Sequence, residues 1–533
     1  MLSSAFVQVG REEISLAHPE MRQLPSRRIE MVSKRLQLIA VGCGVLLVAG
    51  GALTLQNASA QGGGNEVKDE VSQTTWYVDA ELIHLLEKEA SRKVSAYIQA
   101  KGRLSVVDVK VSFNMKGRMI VADIGEGFLP KPDEGDMFFQ ELAVTLRHVA
   151  EQAGLSIIGV DFLFQGKPLK HYYPEELAVP PRARASAQAQ TALVSASHGL
   201  VRVHPSQQWE YQRPDAFGFR EDMITPAYGD ALQRLLEERS EVGVSRARSR
   251  SMEPHPESSR PWEQMSSRYH LKALLPDRAD IWNSLPNDTD SDREVKEDIR
   301  ARPLYANDLG VGGMISLHTN GHERSDVRGL EVYYHGDKPG DRPLAENILC
   351  GMRELIRAQP GYESFPVRQD AIPGRHGENR IGTMPSVLVE IAYHSNPDDA
   401  AALQDPVFRT ASMKGAEKGY RLFREGKVCE GFSLHQIQDV SLPAGSSQEI
   451  TLPFAGHPQF PVTMEFTTAN CSSPGACTPS KTTFADPAIP VTVKMRCSGN
   501  LAGEARWSVV LRDTDGVATA PIEFQHTCFK PEA

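Results

Sequence analysis

The spacing of apolar and polar residues divides the chain into three parts with different predicted structure. Helical spacing from Asp79 to about Ala100 predicts a helix that Asp79 caps. The alternating residues that follow predict two strands, and a second helix and a third strand come next, at about Phe138–Gly154 and Ile157–Phe164. We therefore predict a small α/β domain over about residues 66–176.

Short apolar runs that alternate with helical patterns begin at Gly199. They predict a mainly parallel sheet with flanking helices over residues 199–427. The runs with the strongest strand pattern are Leu200–Val203, Met314–His318, Gly329–Tyr334 and Val387–Ile391. Residues 177–198 are rich in Pro, Ala, Arg and Gln and are predicted to be a linker. Residues 246–300 show little periodicity, so we predict a long, partly mobile insertion there.

Beyond Cys429 the apolar residues alternate and turns recur about every ten residues. Helical periodicity is absent, which predicts an antiparallel β-sandwich over residues 430–533. The predicted fold class is therefore α/β. A mainly parallel sheet with flanking helices forms the middle domain, a small α/β domain precedes it and a β-sandwich follows it.

The amino-terminal segment has the pattern of a bacterial secretory signal. Lys34 and Arg35 precede an apolar stretch from Leu36 to Leu55, and small residues continue to Ala60. We predict that residues 1–60 are an N-terminal extension and signal peptide, with cleavage after Ala60. The alternative is one membrane-anchoring helix, because about 20 apolar residues can span a bilayer. Cleavage would leave no stable membrane anchor and a mature protein in the periplasm or outside the cell.

Charge and cysteine content narrow the choice of partner and compartment. The 533 residues include 58 Lys and Arg and 68 Asp and Glu, for a net charge of -10, and no long basic run is present. This argues against a nucleic-acid partner.

Export implies an oxidising compartment, where cysteines form disulfides. Four cysteines near the carboxyl end allow three connectivities, of which we favour Cys471–Cys477 with Cys497–Cys528. Cys350 and Cys429 are then paired with each other or free.

Four ionisable residues stand at the ends of predicted elements in the middle domain. Glu390 lies near the end of one buried strand, His318 and His204 end two others, and Glu221 opens a helix. In a parallel α/β sheet, the carboxyl ends of the strands form the rim where ligands bind. Two imidazoles and a carboxylate can bind a catalytic Zn²⁺ that keeps one position for water. Glu390 would be the separate proton acceptor that such chemistry needs.

Two motifs resemble those of the zinc-dependent N-acetylmuramoyl-L-alanine amidases, type 3, which cleave bacterial cell-wall peptidoglycan. Ile315–Gly321 (ISLHTNG) is similar to the family's strand-ending histidine motif. Val387–Pro397 (VLVEIAYHSNP) is similar to its catalytic-glutamate motif. Gly377–Arg380 and Asp398–Leu403 extend the likeness, which covers about residues 199–427.

The resemblance implies a function and a set of site residues. His204, Glu221 and His318 would bind zinc, and Glu390 would be the general base and acid. The reaction would be hydrolysis of the amide between N-acetylmuramic acid and L-alanine, with peptidoglycan as substrate. The C-terminal domain could bind peptidoglycan or a cell-envelope protein, or it could be a spacer.

One departure from the family pattern keeps alternatives open. The family usually holds its first histidine between glycines, whereas His204 lies between Val203 and Pro205. A neighbouring group could replace it, or the domain could have lost its metal and serve as a cell-wall binding or scaffolding protein. A third alternative is a zinc carboxypeptidase on peptidoglycan stem peptides. That enzyme would need a carboxylate-binding arginine, for which Arg380 and Arg213 are candidates.

Overall fold

The three largest sheets follow one another along the part of the chain that the structure describes. The structure is a computed structural model that describes residues 80–100, 109–125, 127–174, 190–471, 478–499 and 502–530. The predicted signal peptide, residues 1–60, and Cys477 lie outside these ranges. Among the described residues, no helix is both long and apolar enough to cross a membrane.

The first sheet belongs to a small α/β unit, residues 80–174, which we call the N-terminal unit. Its elements are α1 (Ala80–Ala100), β1 (Val109–Asn114), β2 (Met119–Ile124), α2 (Pro132–Gln152), β3 (Gly159–Phe164), β4 (Lys167–Pro168) and α3 (Leu169–Tyr172). The strand order is β1-β2-β3-β4, with β2 and β3 parallel. Ala90 and Val94 of α1 and Leu142 and Leu146 of α2 share one buried core with the sheet.

The central sheet is the frame of the candidate site. The elements of this region, in chain order, are β5 (Thr191–Ala196), β6 (Leu200–Arg202), β7 (Trp209–Tyr211), α4 (Glu221–Ser240), β8 (Gly243–Arg246), a 3₁₀ turn (Trp262–Gln264), α5 (Ser267–Leu274), α6 (Ala279–Trp282), α7 (Arg293–Leu309), β9 (Gly313–Asn320), β10 (Glu331–Tyr334), α8 (Asp341–Arg357), β11 (Ile372–Pro373), α9 (Gly377–Ile381), β12 (Ser386–Tyr393), α10 (Pro397–Gln404) and α11 (Pro406–Arg424). The strand order is β11-β10-β12-β9-β5-β8. Strands β12, β9, β5 and β8 are parallel, and β10 is antiparallel to β12.

Helices cover both faces of the central sheet. Val194 and Ile315 pack in a core with α4, α8 and α11, whereas Leu193 and Met314 pack on the other face with α7. Such alternation follows from the period of two residues along a strand. All eight residues of β9 and all eight of β12 are buried. The predicted α/β fold is therefore confirmed, and a polar side chain in these strands can function only at the rim.

The structure corrects two predictions about this region. Leu200–Arg202 is not a strand of the central sheet, because it pairs with Trp209–Tyr211 in a separate antiparallel ribbon. The sheet strand is Thr191–Ala196, inside the range that we assigned to a linker. Its alanine and serine residues match the composition of the preceding segment, which concealed the apolar run. Residues 246–300 also contain regular structure, namely α5, α6 and the start of α7.

The third sheet forms a β-rich carboxyl-terminal region. Its elements are β13 (Ser433–Leu434), β14 (Val440–Pro443), β15 (Ser447–Thr451), β16 (Phe454–Ala455), β17 (Val462–Cys471), β18 (Ser480–Phe484), β19 (Thr492–Arg496), β20 (Gly503–Arg512) and β21 (Ile522–Phe529). Five of them form a sheet in the order β14-β21-β20-β17-β18, and β15 pairs with β19. The core contains Phe466, Trp507 and Phe524 together with Leu355 of α8, so this region packs on the central one.

Disulfides connect these elements as the sequence suggested. Cys497 is bonded to Cys528, which confirms that predicted pair. Cys350 of α8 is bonded to Cys429, so these two cysteines are paired rather than free. Cys471 is disulfide-bonded as well, and its predicted partner Cys477 lies outside the described residues.

Helices α8 and α11 approach each other through glycines, which gives a test of the core. A Cβ atom at Gly415 would lie 2.6 Å from the carbonyl oxygen of Gly351, a backbone atom that cannot turn aside. We expect Gly415→Ala to lower the free energy of unfolding by about 1–3 kcal/mol, measured by chemical denaturation. At Gly431 a Cβ atom would meet nothing within 4 Å. Gly431→Ala should therefore change stability by less than about 0.5 kcal/mol, and equal effects would contradict the tight contact.

Candidate active site

Three parallel strands bring ionisable side chains to one rim of the central sheet. His318 lies in β9, and Glu390 of β12 is its register partner on the neighbouring strand. His198 comes two residues after β5, and Glu221 is the first residue of α4. Because the carboxyl ends of parallel strands meet at one edge, these residues converge although they are far apart in the sequence.

His198, Glu221 and His318 form a close group of potential metal ligands. Glu221 Oε1 lies 3.1 Å from His198 Nε2 and 3.3 Å from His318 Nδ1. One ligand atom from each residue lies within 4.8 Å of the other two, and all three residues are buried. Two imidazoles and one carboxylate are a donor set that suits zinc and leaves a further position free for water. The residues present therefore fit the metal that the sequence predicted.

The structure does not bring His204 to this group. His204 lies in the turn between β6 and β7, and the potential ligand in its place is His198. The physical reason is the strand assignment: the ribbon of β6 and β7 leads away from the central sheet, whereas β5 ends at the rim. Glu221, His318 and Glu390 lie where the sequence predicted them. A histidine–glycine pair directly after an apolar run was the signal that would have identified His198.

Gly199 explains how the chain turns so sharply at His198. His198 has a φ of 60° and Gly199 a φ of 114°, a region that favours glycine. A Cβ atom at Gly199 would lie 2.7 Å from the backbone nitrogen of Ser266. The backbone nitrogen of Gly199 also donates to Asp222 Oδ1 at 2.9 Å, which ties this turn to the start of α4.

Glu221 is buried but remains an acceptor. Its Oε1 accepts hydrogen bonds from the Ser197 hydroxyl and the Thr319 backbone nitrogen, both at 3.0 Å. Burial raises the pKa of Glu221, but His198 and His318 outweigh burial and hold that pKa well below its ordinary value. Glu221 is therefore an anion, as a metal-binding carboxylate must be.

The pKa of Glu390 is shifted in the opposite direction to that of Glu221. Only 1% of Glu390 is exposed, and burial raises the pKa of Glu390 to about 8, against the opposing effect of His318. The Gln140 side chain donates a hydrogen bond to Glu390 Oε1 at 2.8 Å, whereas Oε2 has no hydrogen-bond partner among the described residues. A carboxyl group with a pKa near neutrality can both accept and release a proton, which suits an acid–base catalyst.

Helix α2 of the N-terminal unit lies over this rim and supplies Gln140. Asp133 and Asp136, near the start of α2, pair with Arg380 at 2.6 and 2.7 Å. Further along the helix, Arg147 pairs with Glu331 at 3.1 Å and donates to the Tyr333 hydroxyl at 2.7 Å. The sequence contained no signal for this contact, because the interacting residues lie in separate predicted domains.

The central region matches one known family model. Residues 213–419 match the model of the N-acetylmuramoyl-L-alanine amidases, which confirms the resemblance found in the sequence. The matched segment includes Glu221, His318 and Glu390 but begins after both His198 and His204. The choice between these histidines therefore rests on the distances above. None of the curated proteins matches this chain.

Several solved amidase structures are similar to part of the chain. The CwlD amidase from Clostridioides difficile, solved in complex with the GerS lipoprotein, is 16% identical, and the alignment covers 45% of this chain and 100% of that one, with a TM-score of 0.31. The catalytic domain of CwlV from Bacillus (Paenibacillus) polymyxa is 18% identical, with 43% and 95% covered and a TM-score of 0.27. Ami1 from Mycobacterium smegmatis is 15% identical, with 45% and 98% covered and a TM-score of 0.30. The family assignment rests on the sequence match.

Zinc binding by two histidine variants will test which histidine is the ligand. We expect one zinc ion per chain in the unmodified protein and in His204→Ala. His198→Ala should lose most of its zinc after gel filtration, because it removes one of three converging donors. The measurement is the zinc content of the purified proteins. Loss of zinc in His204→Ala with full retention in His198→Ala would reverse this assignment.

Proposed function

We propose that the chain is an exported, zinc-dependent peptidoglycan hydrolase, because its residues 213–419 match the model of the N-acetylmuramoyl-L-alanine amidases. Its reaction is hydrolysis of the amide between the lactyl group of N-acetylmuramic acid and L-alanine. The observation that carries the proposal is the convergence of His198, Glu221 and His318 beside Glu390 at the rim of the central sheet.

The residues at the rim divide the work of the reaction. His198 Nε2, a Glu221 oxygen and His318 Nδ1 would hold the metal. Bound zinc supplies a Lewis acid for the scissile carbonyl and lowers the pKa of a bound water to about 7. Glu390 takes a proton from the attacking water and delivers it to the nitrogen of L-alanine. A carbon–oxygen bond forms, the carbon–nitrogen bond breaks, and the products are a muramoyl carboxylate and a peptide with a free amino end.

Two other buried glutamates near the rim are poorly suited to the proton transfer. Burial raises the pKa of Glu331, but Arg147 and Arg368 outweigh burial and hold that pKa at about 2. Arg302 and His318 likewise hold the pKa of Glu378 far below its ordinary value, against burial. Both groups are permanent anions with fixed partners at neutral pH. Glu390 alone of these three has the pKa of a usable proton shuttle.

The disulfides support export. Cys350–Cys429 and Cys497–Cys528 are pairs of the kind that persist in an oxidising compartment and are rare in the bacterial cytoplasm. They agree with the secretory signal predicted for residues 1–60, and peptidoglycan lies outside the cytoplasmic membrane.

A zinc carboxypeptidase is less well supported, because Arg380, one of its two candidate carboxylate-binding residues, is already paired with Asp133 and Asp136.

Replacement of Glu390 will test the assigned reaction. We expect Glu390→Gln to slow the release of amino-terminal L-alanine from purified peptidoglycan by at least about 100-fold, because an amide cannot carry the proton. Its zinc content should remain one ion per chain. Glu323→Gln, at an exposed glutamate of the loop after β9, is the matched control and should keep full activity. Release of carboxyl-terminal amino acids instead of new L-alanine amino ends would favour the carboxypeptidase, and undiminished activity of Glu390→Gln would refute its role.

A further inference from the structure

The two histidines of the candidate metal site are both hydrogen-bonded on the side that faces away from Glu221. His198 Nδ1 lies 3.1 Å from Gln212 Oε1, and His318 Nε2 lies 3.1 Å from Glu378 Oε1. A hydrogen bond to the outer nitrogen of an imidazole determines which nitrogen carries the proton and which is free to bind a metal. These two contacts therefore decide whether the site can bind zinc.

Both contacts lead to one buried residue, Asp298 of helix α7. Gln212 Nε2 donates to Asp298 Oδ2 at 3.1 Å, and Arg302 Nη2 donates to the same oxygen at 3.0 Å. Arg302 Nη1 then donates to Glu378 Oε1 at 2.8 Å. Asp298 and Arg302 are both 0% exposed, so water does not replace any of these partners.

The direction of each hydrogen bond follows from Asp298. Asp298 Oδ2 accepts from the Arg302 guanidinium and from Gln212 Nε2, so Gln212 turns its amide hydrogens towards Asp298 and its oxygen towards His198. His198 Nδ1 must then carry the hydrogen, and the lone pair of Nε2 faces Glu221 Oε1. Glu378 Oε1 accepts from Arg302 Nη1 and from His318 Nε2, which leaves His318 Nδ1 facing Glu221 Oε1. A nitrogen lone pair directed at a carboxylate oxygen is favourable when a cation lies between them.

We infer that Asp298, acting through Gln212 and through Arg302 with Glu378, is a positioning residue that sets the tautomer of both metal-binding histidines. The inference rests on the proposed zinc site and extends it to α7, which begins in the segment predicted to be a mobile insertion. Asp298 contacts neither histidine directly. Its effect is to fix the outer nitrogen of each imidazole as a hydrogen-bond donor, so that the inner nitrogen, which faces Glu221, is the one that can bind a metal.

The zinc dissociation constant, measured by competition with a chromogenic chelator, is the test. Gln212→Leu removes the acceptor for His198 from a partly exposed loop residue, and we expect zinc binding to weaken by about 10–100-fold. Asp298→Asn should give a loss of similar size, because each oxygen of Asp298 accepts from a donor. One oxygen accepts from Gln212 and Arg302, and the other accepts from the Arg268 backbone nitrogen. In either orientation, the NH₂ group of the new amide would therefore face a donor. Gln208→Leu, an exposed glutamine before the same ribbon strand β7, is the control and should bind zinc as the unmodified protein does.

Two further readouts separate positioning from folding and from the proposed function. The thermal unfolding temperature of zinc-free Gln212→Leu should equal that of the unmodified protein, and ¹⁵N chemical shifts of His198 should show loss of the single tautomer. An unchanged dissociation constant in Gln212→Leu would overturn the inference while leaving the hydrolase proposal intact. Failure of the unmodified protein to bind zinc would overturn the hydrolase proposal itself.

A different observation carries a second inference, about access to the site. Gln140 of α2 occupies Glu390 Oε1, and Glu390 is 1% exposed. Val144 of the same helix packs in a cluster with Val327 and Tyr393. The ion pairs of Asp133 and Asp136 with Arg380 and of Arg147 with Glu331 hold α2 on both sides of Gln140. Glu390 is therefore covered in this arrangement, and α2 supplies one of the groups that cover it.

We propose that helix α2 of the N-terminal unit is an autoinhibitory cover, held by the pairing of Asp133 and Asp136 with Arg380, that must leave the rim before the substrate enters. This cover lies outside the segment that matches the amidase family. The contacts that hold it are mostly polar and charged, which allows them to be exchanged for water when the helix moves away.

Weakening one of these pairs tests the cover without requiring hydrolysis. We expect Asp136→Asn to raise two rates by about tenfold each: the rate at which a soluble chelator removes zinc and the rate of peptidoglycan hydrolysis. The reason is that loss of one charge-assisted hydrogen bond shifts the equilibrium between the covered and open states by about tenfold. Asp161→Asn, at an exposed acid of the same unit, is the control and should change neither rate. Equal rates for Asp136→Asn and the unmodified protein would overturn the cover. Faster zinc removal without any hydrolysis would support the cover and refute the hydrolase.

Discussion

The carboxylate of Glu221 is the interaction on which the arrangement of the site depends. Only 2% of Glu221 is exposed, yet its Oε1 is shared by the Ser197 hydroxyl, the Thr319 backbone nitrogen and two imidazoles. An unpaired buried charge is strongly unfavourable, so these partners must be held in place by the fold. Glu221 thereby joins the end of β5, the end of β9 and the start of α4. The geometry of the metal-binding group is a consequence of satisfying this one anion.

Three buried glutamates of the central region illustrate how surroundings decide chemistry. Glu221 is an anion beside two imidazoles, Glu331 is an anion beside two guanidinium groups, and burial dominates at Glu390. Only the last has a pKa close to neutrality. The side chains are identical, and the difference lies entirely in which cations stand next to them. Glu390, the proposed proton shuttle, has Gln140 as its hydrogen-bond partner and no arginine partner among the described residues.

Parts of the chain on either side of the catalytic rim shape its properties. Asp298, from a helix between α4 and β9, is linked to the outer nitrogens of both histidines through Gln212, Arg302 and Glu378. Gln140, from the N-terminal unit, donates a hydrogen bond directly to Glu390. One set of contacts orients the site and the other covers it. In the proposed function, the region that matches the amidase model holds most of the candidate reacting groups, and other parts of the chain contact them.

The sequence by itself determined the α/β class and the positions of His318 and Glu390 at strand ends and of Glu221 at a helix start, and it favoured the Cys497–Cys528 pair among three connectivities. Periodicity and turn residues lie within a few contiguous positions, so they can be read without the fold. Only the tertiary structure decided that His198, and not His204, lies beside Glu221 and His318. That choice depends on which of two short apolar runs pairs with β9, Thr191–Ala196 or Leu200–Arg202. Strand pairing is a long-range property that local propensity does not determine. The contact between Gln140 and Glu390 spans 250 residues. No local pattern can record such a contact, because it exists only once burial of apolar surface has brought separate elements together.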